Sequence, residues 1–129
     1  MTAGRSHDIV ETPIGYLDLD RARANASRVA AYAASQGLGW RPHIKTHKSR
    51  TVARIQLESG ARGLTVATLR EAEVMAELTS DILLAYPPVG EAKLRRLLAL
   101  PAHVDVKVAL DAHEVLDALA EAAQRAGRT

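Results

Sequence analysis

The stretch Trp40-Arg41-Pro42-His43-Ile44-Lys45-Thr46-His47-Lys48-Ser49 gathers two lysines, two histidines and an arginine within eight residues. It reads as the end of a β-strand running into a loop, and ionisable groups at this density gain nothing from burial. Strand alternation puts Arg41, His43 and Lys45 on one face and Trp40, Pro42 and Ile44 on the other. Lys45 then stands at the last turn of the strand, beside two cationic groups whose repulsion favours its neutral amine. A neutral lysine amine is the nucleophile that forms an imine with an aldehyde. His47 can exchange protons, because an unperturbed imidazole titrates near physiological pH. Lys48 is a rival for the covalent role, but it falls in the loop, where exposure favours its charged form. His43 and His47 have the i, i+4 spacing of a metal pair on a helix. The preceding Pro and the intervening Ile-Lys-Thr read as strand instead, so no metal is assigned to them. A solvated basic loop is the plain alternative to all of these roles.

The composition bounds what can surround such a site. A chain of 129 residues is about one domain. At 47% hydrophobic and 25% charged it can bury a core, which excludes the disordered class. With no Phe, one Trp and three Tyr, the apolar volume must come from Leu, Val, Ile and Ala, as in helix-rich α/β proteins. Acids and bases are interspersed to a net charge of +2, and no basic stripe is interleaved with aromatics, so no nucleic-acid partner is expected. The absence of cysteine excludes disulfides, zinc ribbons and thiol catalysis. No run approaches the roughly 18 apolar residues of a membrane span, and the polar start lacks a signal-peptide core. No membrane partner and a cytoplasmic location are the expectation.

Residues 1–11 read as a flexible N-terminus with His7 and Asp8 solvated, and 12–129 as the folded part. Alternation at Ile14, Tyr16, Leu17 and Leu19 predicts a short strand, with Asp18 or Asp20 capping a helix over 21–36. That helix turns Ala22, Ala26, Val29, Ala30 and Ala33 inward and stops at Gly37. After the Trp40–Thr46 strand come a helix over 50–59, a strand over Gly63–Ala67, and a helix opened by Thr68-Leu69-Arg70-Glu71, the spacing of a capping box. Asp81–Tyr86 is a continuous apolar run, the pattern of a strand buried on both faces. A helix carrying Leu94, Leu97 and Leu98 follows, then a strand over Val104–Leu110. Asp111 with Glu114 predicts the cap of a last helix whose inward stripe is Val115, Leu116 and Leu119.

Strand centres near Ile44, Val66, Leu84 and Val106 recur at about 20 residues, the period of an α/β fold with parallel strands. Four units make half of a (β/α)8 barrel, which takes about 250 residues. The sequence therefore predicts the first half of a TIM-type barrel, incomplete in this chain. Catalytic groups of such barrels lie at the carboxyl ends of strands, where Lys45 falls. Elsewhere the plain readings are preferred: Asp18 and Asp20 as strand-end and cap residues, Glu71 as a cap, Tyr86 in the core, and His103 and His113 at the surface. Asp105 and Lys107 alternate with valines and could face the lumen.

Arg41-Pro42-His43-Ile44-Lys45-Thr46-His47-Lys48-Ser49 resembles the R-P-H-x-K-T-H-K signature of the D-threonine aldolase and D-serine dehydratase family, pyridoxal-phosphate enzymes of fold type III with an alanine-racemase-like barrel. Thr12-Pro13 with Leu17-Asp18-Leu19-Asp20, Gly60–Thr68 with Glu71-Ala72-Glu73, and Asp81–Tyr86 resemble its opening, second strand and third strand. The resemblance implies pyridoxal 5'-phosphate bound covalently to Lys45, with Arg41, His43, Thr46 and His47 as neighbours. It implies a small D-3-hydroxy amino acid as substrate and a homodimer as the assembly. Loss of the Cα–Cβ bond would give glycine and an aldehyde; loss of the β-hydroxyl would give a keto acid and ammonia. The aldolase is placed ahead of the dehydratase, with a racemase, a cofactor-carrier protein and an inactive fragment as further alternatives. In the family the phosphate loops come late in the barrel and a C-terminal β-domain binds a divalent metal; the rest of the barrel, that domain and the metal ligands are not expected in this chain.

Overall fold

The computed structural model describes residues 11–128. The expectations for His7, Asp8 and the first ten residues lie outside the described residues. In chain order the elements are α1 (Leu19–Ser35), α2 (Arg50–Glu58), β1 (Leu64–Val66), α3 (Leu69–Met75), β2 (Asp81–Leu84), α4 (Glu91–Leu98), β3 (Asp105–Val108) and α5 (His113–Arg125). The strands are parallel in the order β1-β2-β3, with Thr65, Leu83 and Lys107 in register. Among the described residues no helix is long and apolar enough to cross a membrane.

The chain before α2 adds a fourth extended segment at the edge of β1. Thr65 N–H donates to Pro42 O (2.8 Å), Ile44 N–H donates to Thr65 O (2.9 Å), and His43 forms a parallel bridge with Thr65. The expected Trp40–Thr46 strand is thus reduced to one bridge. Pro42 has no N–H to return to the ladder, and Lys45–His47 form a turn closed by Lys48 N–H donating to Ile44 O (2.8 Å). Four extended segments now lie side by side in sequence order. A doubly wound sheet would reverse that order at a switch point; a barrel wall does not.

The helices cover one face of this wall. Ile44, Leu64, Val66, Ile82 and Leu84 point into them and are buried with Ala53, Leu69, Ala72, Met75 and Leu97. The intervening residues Thr65, Leu83 and Lys107 take the other face. Local signals account for the helix starts: Asp18 accepts from Asp20 N and Arg21 N, Ser49 from Val52 N, and Thr68 from Glu71 N.

Several expectations are corrected. Residues 14–18 form no strand, and Ile14, Tyr16 and Leu17 are exposed. On α1 the alanines at 22, 26, 30 and 33 are buried or half-buried, but Val29 is exposed. β2 alternates rather than burying both faces: Leu83, on the inner side, is only half-buried. The extended residue before α5 is Ala112, so Ala112 takes the N-cap position without a side-chain bond and Asp111 sits one residue too early to cap. The buried side of α5 runs through Val115, Leu119 and Ala122, leaving Leu116 exposed.

Candidate active site

Register divides the inner face into three layers. At the amino-terminal base, Arg41, Gly63, Asp81 and Asp105 lie side by side. Arg41 makes a two-pronged bond to Asp81 (2.8 Å from Nη2 to Oδ1 and 2.7 Å to Oδ2), and Lys107 Nζ reaches Asp81 Oδ1 at 3.2 Å and Asp105 Oδ2 at 2.5 Å. Gly63 is required between Arg41 and Asp81, since a Cβ there would overlap the Asp81 carbonyl and side chain. Burial opposes the charged Asp81 carboxylate, but Arg41 and Lys107 outweigh it and hold its pKa below the ordinary value.

The middle layer is His43, Thr65, Leu83 and Lys107. The top layer continues the ladder: Ala85 N–H donates to Val66 O and Ala109 N–H to Leu84 O, both at 2.9 Å, which aligns Ala67, Ala85 and Ala109. Two residues beyond the His43–Thr65 bridge, Lys45 opens the exposed turn at the edge of this layer. The carboxyl end of the inner face therefore finishes in three methyl groups, with one lysine in the turn at its edge.

The four lysines are distinguished by their partners. Lys107 is bound to Asp81 and Asp105, Lys48 lies 2.8 Å from Glu71 Oε1, and Lys93 stands 5.9 Å over the Tyr86 ring. The Lys45 ammonium has no such partner among the described residues. Lys45 N–H donates to His43 Nδ1 (3.3 Å). Partial burial and the Lys45 charge lower the His43 pKa against smaller opposing effects of Glu71 and the Thr65 backbone. His43 is thus a neutral ring whose proton lies on Nε2. His47 turns toward α2: its Nδ1 accepts from Ser49 N–H (3.0 Å), and burial lowers its pKa in spite of Gln56 and the Ser49 backbone. Thr46 is exposed in the turn.

Residues 17–129 match the family described as alanine racemase, N-terminal domain. The chain belongs to this family. It is 38% identical over 112 residues to the D-threo-3-hydroxyaspartate dehydratase of Delftia sp. (strain HT23), covering 86% of this chain and 30% of that protein. It is 34% identical over 119 residues to the D-threonine aldolase of Arthrobacter sp, covering 92% and 31%. The solved structure of D-threonine aldolase from Filomicrobium marinum superposes with a TM-score of 0.87 at 35% identity, covering 93% of this chain and 33% of that one. The chain spans about a third of the length of these relatives. Its parallel strands in sequence order are the wall of the alanine racemase N-terminal domain barrel.

The family implies pyridoxal 5'-phosphate, and the carboxyl end fits it: an unpartnered lysine in the turn for the aldehyde, and alanines beside it that leave room for a flat ring. A metal is not supported here. His43 and His47 each have Nδ1 occupied by a backbone N–H, and no group of three His, Asp or Glu among the described residues could hold an ion.

The structure brings His43 beside Lys45, but ties Arg41 into the base and turns His47 outward to α2. Tyr86, expected in the core, is exposed and lines a cavity of about 350 Å³ between α3 and α4. Glu71, expected only as a cap, is buried; its Oε2 accepts from Ala67 N–H (2.7 Å) and its Oε1 faces Lys48. Burial opposes its charge, but Lys48, Ala67 N–H and Thr68 N–H together hold its pKa below the ordinary value. The alanine layer was readable in principle, since Ala67, Ala85 and Ala109 each immediately follow the apolar residue that ends a strand.

Proposed function

We propose that Lys45 holds pyridoxal 5'-phosphate through its amine and that the protein is a lyase acting on D-3-hydroxy amino acids. The observation that carries this is that Lys45, in the turn at the edge of the alanine layer, is the one lysine without an acidic or ring partner among the described residues. When bound, the cofactor withdraws electrons from the substrate's Cα and so weakens the bonds around it. The chain's own part is positional. Ala67, Ala85 and Ala109 leave the space, and Lys45 supplies the covalent attachment. His43, kept neutral, supplies an N–H donor at Nε2 and carries no competing positive charge when the lysine is charged. Thr46 and His47 are kept as neighbours in the same turn, and Arg41 as a residue that fixes the strand from below.

Cleavage of Cα–Cβ, yielding glycine and an aldehyde, is the leading reaction. Loss of the β-hydroxyl, yielding a keto acid and ammonia, is the second reading, favoured by the 38% identity to the Delftia dehydratase. A homodimer is proposed as the assembly.

The test is borohydride trapping with substoichiometric pyridoxal phosphate, followed by peptide mapping. Lys45 is expected to carry the adduct, with Lys45→Ala unlabelled and Lys93→Ala labelled as wild type. Adduct spread evenly over Lys45, Lys48, Lys93 and Lys107 would reject the assignment. Glycine from D-threonine, or pyruvate from D-serine, then separates the two reactions.

A further inference from the structure

We infer that Lys48 and Glu71 form a latch that sets the position of Lys45, an inference that rests on the proposed role of that lysine. Lys48 has φ 47°, the one non-glycine residue with positive φ among the described residues. The left-handed region disfavours a lysine, and strain of this kind persists only where surrounding contacts enforce it. Two contacts do so. The Lys48 N–H is bound to the carbonyl of Ile44, itself fully buried, and the Lys48 ammonium lies 2.8 Å from Glu71 Oε1. Glu71 is a fixed anchor: its side chain is 7% exposed, its Oε2 accepts the Ala67 N–H, and its own N–H donates to Thr68 Oγ1. Lys45, Thr46 and His47 are the residues spanned between these two attachments.

The pair is a poor device for stability alone. Lys48 is 62% exposed, so water screens most of what the contact contributes, while its backbone conformation is costly. Both features make sense if the contact fixes where the turn sits above Ala67. Released, Lys48 would relax toward the right-handed region and carry Lys45 out of the alanine layer. Glu71 and Lys48 are accordingly positioning residues; neither is assigned contact with the substrate.

Three variants of the full chain test this: Lys48→Gly, which removes the latch and accommodates the left-handed φ; Glu71→Gln, which keeps an acceptor for Ala67 N–H but loses the charge; and Lys48→Arg, which keeps it. Cofactor trapping at Lys45 is expected to slow on the order of tenfold in the first two and to recover in the third. Melting temperature should stay within a few degrees throughout, so that slower trapping is not a loss of fold. Hydrogen exchange of the 45–49 segment, read without cofactor, is expected to quicken in Lys48→Gly and Glu71→Gln while β1 and β2 keep their protection. Wild-type trapping and exchange rates in Lys48→Gly would overturn the latch. If wild type itself shows no preference for Lys45, the cofactor reading fails, and the exchange measurement alone decides whether the latch holds the turn.

Discussion

The two ends of the inner face are built on opposite rules. At the base every charge is answered: Arg41 and Lys107 converge on Asp81, and Lys107 also reaches Asp105. At the carboxyl end the ladder finishes in Ala67, Ala85 and Ala109, and Lys45 stands exposed in the turn at its edge, its backbone N–H bound to the His43 ring. Charges without partners are costly, and chemistry needs groups that are not already satisfied. In barrels of this kind the base serves stability and the carboxyl end serves function; here a few residues along the same strands separate the two.

That division can be broken most forcefully from the base. Asp81→Ala would leave Arg41 without its carboxylate and Lys107 with Asp105 alone. Removing one partner of a fully buried pair costs about 3–5 kcal/mol; with the Asp81 side chain 21% exposed, about 2–3 kcal/mol is expected. Lys45→Ala, at the exposed end, should change stability by less than about 0.5 kcal/mol. Urea unfolding of the two variants gives the comparison directly. Equal losses would mean that the two ends are not divided in this way.

The mouth can be challenged by filling it. Ala85→Leu puts a branched side chain into the top layer, at a position exposed among the described residues. Stability should move by less than about 1 kcal/mol, while cofactor trapping at Lys45 falls on the order of tenfold. Ala99→Leu, at the C-terminal end of α4, is the control and should leave trapping alone. If Ala85→Leu traps cofactor as wild type does, the alanines are not the walls of the site.

How much of this was legible follows the range of each signal. The face shared by Arg41 and His43 came from strand alternation, which is a local rule, and the burial of Pro42 and Ile44 agrees with it, whereas Lys45 lies past the bridge in the turn. Asp18 as a cap and the order of strands and helices were local in the same sense. What alternation does not carry is the partner across the sheet. Arg41 was grouped with Lys45 by nearness in sequence, whereas its guanidinium is held by Asp81, forty positions away. Glu71 read correctly as an acid three residues after Thr68, but its burial and its contact with Lys48 depend on how α3 seats against β1.

The finest distinction between the two ends is their response to acid. Burial, and for His43 the Lys45 charge as well, lowers the pKa of both His43 and His47 from the ordinary 6.5, so in the folded chain they stay neutral after the unfolded chain has begun to bind protons. Their contribution is whole above 6.5 and is lost as pH falls from there through the folded values. Asp81 behaves alike at a lower range. Its pKa is depressed below 3.8, so its contribution is whole above that value and disappears as pH falls further. Glu71, depressed from 4.5 chiefly by Lys48 against the opposing effect of burial, adds to the same lower range. Stability measured by urea unfolding should therefore decline in two stages, first below about pH 6.5 from His43 and His47 and then below about pH 4 from Asp81 at the base and Glu71 beneath the turn. His47→Gln should reduce the first stage to the share of His43 and leave the second, and Asp81→Asn should reduce the second to the share of Glu71 and leave the first. The steps are smaller than the loss expected for Asp81→Ala, because protonation removes charge but leaves the side chain in place. A single decline that both variants reduce equally would tie the turn and the base into one cooperative unit, and the separation between them would then be chemical only.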